Sequence, residues 1–140
     1  MTRGLKPATI TPGTSPVVTV PNPPSYLSKD AKAEWRRVAP ILVLERNVLT
    51  VADMGALENY CIAVGNMRDL YRILQVEGHV LKSGKRHPAS TALLQTQQQQ
   101  LRAGAELGLT PAARSRASMM EVAADDDDDD NPLMIGRNRR

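Results

Sequence analysis

Two groups of basic side chains have the residue types and spacing that best fit a binding site for an anion. One group lies in a predicted helix and the other in a predicted turn. They are Lys29, Lys32, Arg36 and Arg37 in the helix, and Lys82, Lys85 and Arg86 in the turn. Lysine and arginine side chains attract the phosphate groups of a polyanion. Both groups are therefore candidates for a phosphate-facing surface, although a solvated helix face and a solvated turn would show the same pattern.

The charge balance of the chain also favours a polyanionic partner. The 140 residues include 18 basic and 15 acidic side chains, for a net charge of +3. Six of the acids form the unbroken run Asp125–Asp130, and three arginines follow that run. Residues 1–124 therefore keep 15 basic and 9 acidic side chains, a net charge of +6. A basic body followed by an acidic tail suits binding to a polyanion such as nucleic acid.

Residue types needed for catalysis or metal binding are sparse. The chain has no glycine-rich phosphate loop, no zinc-protease motif and no hydrolase nucleophile motif. The two histidines, His79 and His87, have no nearby carboxylate pattern typical of a metal site, and a single cysteine forms no intrachain disulfide. We therefore predict no catalytic residues, no metal and no cofactor. An aromatic content of 3% argues against base stacking on an aromatic platform.

The spacing of apolar and capping residues predicts four helices. The first begins after Ser28, and Pro40 predicts a kink or break near Ala39. The second begins at Thr50, with Asp53 in the place of a capping-box acid, and stops at the Glu77-Gly78 pair. The third is predicted from Pro88 to Leu107, and a short fourth helix follows Thr110-Pro111.

The connections and the two ends of the chain complete the predicted organisation. Ser83-Gly84 predicts a turn within a small β-hairpin or extended loop. We expect a flexible proline-rich arm over residues 1–25, a helical DNA-binding and oligomerisation domain over 26–121, and a disordered acidic then basic tail over 122–140. The predicted fold is therefore all-α, a short bundle of about four helices. No apolar run is long enough to span a membrane, and no secretion signal is evident.

The second predicted helix is apolar on more than one face. Its main stripe drifts around the axis, and Ile62, Leu70 and Ile73 add apolar surface beside it. A helix with one solvent-exposed face needs only one apolar stripe. This helix is expected to change packing partners along its length. We also expect the three additional residues to lie at or near contacts between copies of the chain.

Four short stretches together resemble a known family. They are Pro23-Pro24-Ser25-Tyr26-Leu27-Ser28; Ala31 to Trp35 with Pro40 and Leu42; Leu49-Thr50 with Asp53 and Tyr60-Cys61; and Leu107–Arg116, which reads LGLTPAARSR. Over about residues 20–118 the chain resembles the small terminase subunits of tailed bacteriophages, the family that includes that of phage HK97. The last stretch is the most specific. His87-Pro88 departs from the expected Asn-Pro, and the Asp125–Asp130 run lies outside the family pattern.

The resemblance implies a role in viral genome packaging. Small terminases recognise double-stranded viral DNA and regulate the large terminase subunit, which carries the ATPase and nuclease. The resemblance therefore predicts that the two basic groups contact DNA: Lys29, Lys32, Arg36 and Arg37 in the first helix, and Lys82, Lys85 and Arg86 in the turn. They are non-catalytic, form homo-oligomeric rings and act in the host cytoplasm during infection. Two alternatives stay open at this point: a small helix-turn-helix DNA-binding regulator, and a scaffold protein that never touches DNA. The mostly apolar second helix has few side chains suited to reading bases, which weakens the first alternative.

Overall fold

The structure, a computed structural model, describes residues 15–116 of the chain. Its elements are helix α1 (Lys29–Pro40), a π-helical segment (Ile41–Glu45), a short 3-10 helix (Val51–Asp53), helix α2 (Met54–Glu77) and helix α3 (Pro88–Glu106). The described range contains three α-helices and no β-strand, so its fold is predominantly helical, as predicted. Helical backbone begins again at residue 111 and runs to residue 116, where the described range ends. The predicted count of four helices therefore stays a prediction.

Helix α1 begins where predicted and ends differently. The Ser28 hydroxyl oxygen accepts a hydrogen bond from the Ala31 amide at 3.3 Å and caps the first turn. The helix does not break near Ala39. Because Pro40 has no amide hydrogen, one helical hydrogen bond is missing there, and the backbone continues as a π-helix. The Arg46 amide closes this segment by donating to the Ile41 carbonyl at 3.0 Å.

Hydrogen bonds confirm the predicted capping residues at both ends of the second helix, although its first turn after Thr50 is a 3-10 helix (Val51–Asp53) and α2 itself begins at Met54. One carboxylate oxygen of Asp53 accepts from the Thr50 amide at 3.0 Å and from the Thr50 hydroxyl at 2.7 Å. At the other end, the Gly78 amide donates to the Leu74 carbonyl at 2.9 Å. Gly78 has a φ of +81°, a left-handed conformation that favours glycine and stops the helix.

Helix α2 packs against both of its neighbours, as its drifting apolar stripe predicted. Its first half contributes Leu57, Cys61 and Val64 to the main core, which α1 completes with buried residues that include Trp35 and Val38. Near its end, Leu74 instead packs with Ala89 and Leu93 of α3 in a second, smaller cluster. Most of the main core thus surrounds the α1–α2 contact, and α3 packs along α2 from Tyr60, beside Gly104, to Leu74.

A glycine allows α1 and α2 to approach closely. A Cβ atom placed on Gly65 would lie 2.8 Å from the Ser28 hydroxyl oxygen and 3.1 Å from the Ala31 Cβ. Both distances are shorter than ordinary van der Waals contact. The start of α1 therefore rests directly on the backbone of α2 at this point.

The connection between α2 and α3 is a tight turn and not a hairpin of paired strands. The Leu81 amide donates to the Lys85 carbonyl at 2.8 Å, and the His87 amide donates to the His79 carbonyl at 2.9 Å. Only one isolated bridge, between Val80 and Arg86, forms in this turn. The predicted hairpin is therefore not confirmed. Pairing stops after His87, because the next residue, Pro88, has no amide hydrogen and begins α3.

Both histidines have structural partners. His87 Nδ1 accepts a hydrogen bond from the Ala89 amide at 3.0 Å, and its Nε2 lies 2.8 Å from the Glu77 carboxylate. His79 Nδ1 lies 3.1 Å from the Ser90 hydroxyl. In these positions the imidazoles link the end of α2 and the connecting turn to the start of α3.

The segment before α1 lies along the helical body. The Val17 amide donates to the Leu49 carbonyl at 2.9 Å, and the Trp35 indole donates to the Pro21 carbonyl at 2.8 Å. Residues 1–14 of the predicted arm and the predicted tail over 122–140 lie outside the described residues, so the predicted boundaries stay predictions. Within residues 15–116, no helix has the length and apolar character needed to cross a bilayer.

Candidate nucleic-acid interface

The four predicted basic residues of α1 have different environments. Lys29 and Arg36 are exposed. The Lys32 ammonium donates to the Ser25 carbonyl at 2.7 Å and so helps to hold the turn before α1. The Arg37 guanidinium donates to Glu34, one helical turn earlier. Two of the four cations therefore have structural partners, and two are free of hydrogen bonds and ion pairs to other described side chains.

The predicted basic residues of the turn are all exposed. Lys82, Lys85 and Arg86 lie in the connection between α2 and α3 and form no ion pair with any described carboxylate. The two groups lie on different elements of the fold, one on α1 and one in the connection between α2 and α3.

A buried carboxylate organises the contact between α1 and α2. Glu34 is only 3% exposed. It accepts from the Tyr60 hydroxyl at 3.1 Å and from the Arg68 guanidinium at 3.1 Å, in addition to Arg37. Burial by itself would raise the pKa of Glu34, but hydrogen bonds from Arg37 and Tyr60 and the charges of Arg37 and Arg68 outweigh burial and lower it. Glu34 is therefore a charged group at neutral pH, matched by two arginines.

A second acid extends this network towards the start of α1. The hydrogen bond from Arg72 lowers the pKa of Asp30, although its partial desolvation opposes the shift. Arg72 also donates to Asp69 at 2.8 Å. The charges of Arg68 and Arg72 are thus largely balanced within the chain. The predictions from sequence missed this network because its members lie 34 and 42 residues apart.

Two further arginines converge near the end of α3. Arg46 Nη1 donates to the Gly108 carbonyl at 2.7 Å, and Arg114 Nη1 donates to the Leu109 carbonyl at 3.0 Å. Neither forms an ion pair with a carboxylate among the described residues. Neither was among the predicted DNA-binding residues. Arg114 could have been chosen from the sequence, since it belongs to the LGLTPAARSR stretch. Arg46 could not, because it lies in a loop that no periodic pattern or motif marks.

The three residues predicted to lie at subunit contacts are partly exposed in the single chain. Ile62 and Leu70 are half-buried against the two core clusters, and Ile73 is 40% exposed. Other large apolar side chains on α2 and α3 are also exposed: Tyr71, Val76, Leu94 and Leu101. The α2–α3 pair therefore presents apolar surface that the described part of one chain does not cover.

These features define a small helical protein with basic patches and an incompletely covered apolar surface. Residues 31–124, more than half of the chain, match the family described as phage terminase, small subunit. The chain belongs to the family of phage terminase small subunits. This assignment confirms the function predicted from the sequence, and it does not favour the helix-turn-helix regulator. No significant match was found among curated proteins or among solved structures.

Proposed function

We propose that this terminase small subunit binds double-stranded viral DNA and regulates the large terminase subunit during genome packaging in the host cytoplasm. The observation that carries this proposal is the family match over residues 31–124. In this role the chain is a non-catalytic partner that needs no cofactor, and the large subunit supplies ATP hydrolysis and DNA cleavage.

The proposed binding to DNA is directed mainly at phosphates. The exposed cations Lys29 and Arg36, together with the turn residues Lys82, Lys85 and Arg86, support this mode. Arg37 is a weaker contributor because its charge is matched by Glu34. Lys32 retains its charge but holds the Ser25 carbonyl. Binding through such residues is sensitive to salt, because each phosphate contact releases condensed counterions.

The proposed assembly is a ring of identical subunits. The exposed apolar side chains of α2 and α3 support this proposal, because an assembled ring would remove them from water. Ile73 and its neighbours Tyr71 and Val76 lie on the last turns of α2, away from most of the main core. Ile62 and Leu70 need only a modest further burial to become part of the same contact.

Two measurements on the full chain test these proposals together. Light scattering gives the mass of the assembly, and fluorescence anisotropy gives the affinity for duplex DNA as a function of salt. We expect a closed oligomer larger than a dimer and a linear decrease of log affinity with log salt. A dimer would favour the helix-turn-helix regulator, and an absence of DNA binding at low salt would favour the scaffold alternative.

A variant set then identifies the DNA-binding patch. Replacing Lys29 and Arg36 by Gln should reduce the salt slope by about one unit for each phosphate that the protein no longer neutralises. The matched variant Lys82→Gln/Lys85→Gln removes the same charge from the turn. An unchanged slope in either variant shows that its patch is only solvated. Stimulation of the large subunit's ATPase by each variant reports whether DNA binding and regulation are linked.

A further inference from the structure

A pocket between the end of α1, α2, α3 and the segment after α3 is lined by three arginines, Arg37, Arg46 and Arg114. Glu34 balances the charge of Arg37, so Arg46 and Arg114 supply the positive charge that no described carboxylate pairs. The other polar groups that line it, from Tyr60, Gln100 and Thr110, are uncharged, and none of the described carboxylates lines it. Its volume of about 270 Å³ is well above what a single water molecule requires. We propose that this pocket binds a phosphate group of the DNA backbone.

Two of the guanidinium groups are held in place by the backbone. Arg46 and Arg114 donate to the successive carbonyls of Gly108 and Leu109, at 2.7 Å and 3.0 Å. A guanidinium has five N–H donors, and one from each group is used in these bonds. The remaining donors, fixed in a planar fork, suit the oxygens of a phosphate. Binding at such a preorganised site costs less side-chain entropy than binding to a free surface arginine.

A glycine makes the close approach of Arg46 possible. Gly108 has a φ of +66°, and a Cβ at this position would lie 3.3 Å from Arg46 Nη2. A larger residue would strain the backbone and crowd the guanidinium. The chain therefore turns at Gly108 in a way that both ends α3 and leaves room for the Arg46 side chain.

The charge of the surroundings favours an anionic ligand, and the proposed DNA-binding function points to a phosphate of the DNA backbone. Arg46 and Arg114 have no described acidic partner, and residues 1–124 as a whole are positive by six charges. Arg46 and Arg114 also line an adjoining pocket together with Asp53 and Glu106, so the surroundings attract a polyanion on the side that no described carboxylate lines. An acidic peptide is the competing ligand, and the test separates it from DNA. The proposal rests on the proposed DNA-binding function and adds a site that does not include the α1 and turn patches.

The experiment uses the full chain and the double variant Arg46→Gln/Arg114→Gln. DNA affinity is measured by fluorescence anisotropy over a salt series, and binding of inorganic pyrophosphate is measured by calorimetry. We expect the double variant to bind duplex DNA about tenfold more weakly, with a salt slope lower by about one unit, and to lose pyrophosphate binding. The control is Arg102→Gln, which removes one exposed positive charge that lines a separate groove.

Folding of the variants is checked by circular dichroism. If the double variant does not fold, Arg114→Gln alone is used, because this side chain is exposed and its replacement removes only one hydrogen bond to the backbone. Arg114→Lys, which keeps the charge without the fork, should restore only part of the affinity.

Each outcome supports or overturns the site. An unchanged slope in the double variant, or a decrease in affinity no larger than that of Arg102→Gln, overturns it while DNA binding by the protein stands. Pyrophosphate binding that depends on both arginines, in a chain that does not bind DNA, supports a phosphate site and overturns the DNA-binding function. Displacement of pyrophosphate by a hexa-aspartate peptide but not by DNA assigns the pocket to an acidic segment and overturns the proposal.

Discussion

Arg68 of α2 lies 3.1 Å from the carboxylate of Glu34 in α1, and this ion pair joins the two helices at the edge of the main core. Glu34 is buried while Arg68 is 39% exposed, so the acid bears most of the desolvation cost. Tyr60 and Arg37 complete its hydrogen bonds. The contact between α1 and α2 therefore depends on a fully partnered charge as well as on apolar packing.

Replacing Glu34 by Gln should destabilise the fold. The amide keeps the size of the side chain but removes the charge that two arginines and a tyrosine surround. We expect the free energy of unfolding to fall by about 1–3 kcal/mol, measured by urea denaturation at neutral pH. Glu45→Gln is the matched control, because Glu45 is exposed, and it should change stability by less than about 0.5 kcal/mol. Equal stability of the two variants would contradict a structural role for the Glu34 charge.

Acid should weaken the same contact. The pKa values of Glu34 and Asp30 are lowered in the folded chain, so both groups bind protons more weakly than in the unfolded chain. Their contribution to stability is complete above the unfolded values of about 4 and is lost as pH falls through the folded values. Urea midpoints between pH 7 and pH 3 should decrease most steeply below about pH 4.5. The Glu34→Gln variant should show a shallower decrease. An identical pH profile would show that Glu34 does not contribute to the loss of stability in acid.

Gly65→Ala should destabilise the packing of α1 against α2. The added methyl group would lie 2.8 Å from the Ser28 hydroxyl oxygen, which already caps α1. We expect a destabilisation of about 1–3 kcal/mol from this overpacking. Gly55→Ala is a control in the same helix, because no atom of the described residues, apart from the adjoining residues of the helix, lies within 4 Å of the added atom. That variant should be neutral or stabilised by up to about 1 kcal/mol, owing to the higher helix propensity of alanine. Thermal unfolding of both variants distinguishes packing from propensity.

The Cys61 thiol should be unreactive in the folded protein. Cys61 is fully buried in the main core, and burial raises the pKa of its thiol to about 12. Because the thiolate is the reactive form, labelling with a disulfide reagent at about pH 8 should be slow until the chain unfolds. Adding urea through the unfolding transition should accelerate labelling in step with the loss of helical signal. Rapid labelling in the absence of urea would show that the α1–α2 contact opens locally.

The parts of the fold that local chemistry determines were predictable from the sequence. The Thr50–Asp53 cap, the stop at Gly78 and proline at the start of α3 each involve residues within a few positions of one another. The change of helix type after Pro40 was not predictable. Proline explains why one hydrogen bond is missing, but core packing of Leu42 and Val43 decides that the chain continues as a helix.

The site was less predictable, because side-chain pairing depends on tertiary structure. The sequence marks Arg37 as a cation on an exposed helix face, and only the fold shows that Glu34 balances its charge. Arg46 and Gly108 are 62 residues apart and become neighbours only when α3 ends beside the loop after α1. The exposed cations of the turn, by contrast, needed no tertiary information, since a tight connection between two helices places its side chains in water.

The indole of Trp35 is an intrinsic fluorescent reporter for the segment that precedes α1. It is the only tryptophan, it is completely buried, and its N–H donates to the Pro21 carbonyl. Its emission therefore depends on whether the segment before α1 stays on the helical body. A red shift without loss of helical circular dichroism would report release of that segment alone. Stopped-flow fluorescence during mixing with DNA or with the large subunit would then time this release without any attached dye.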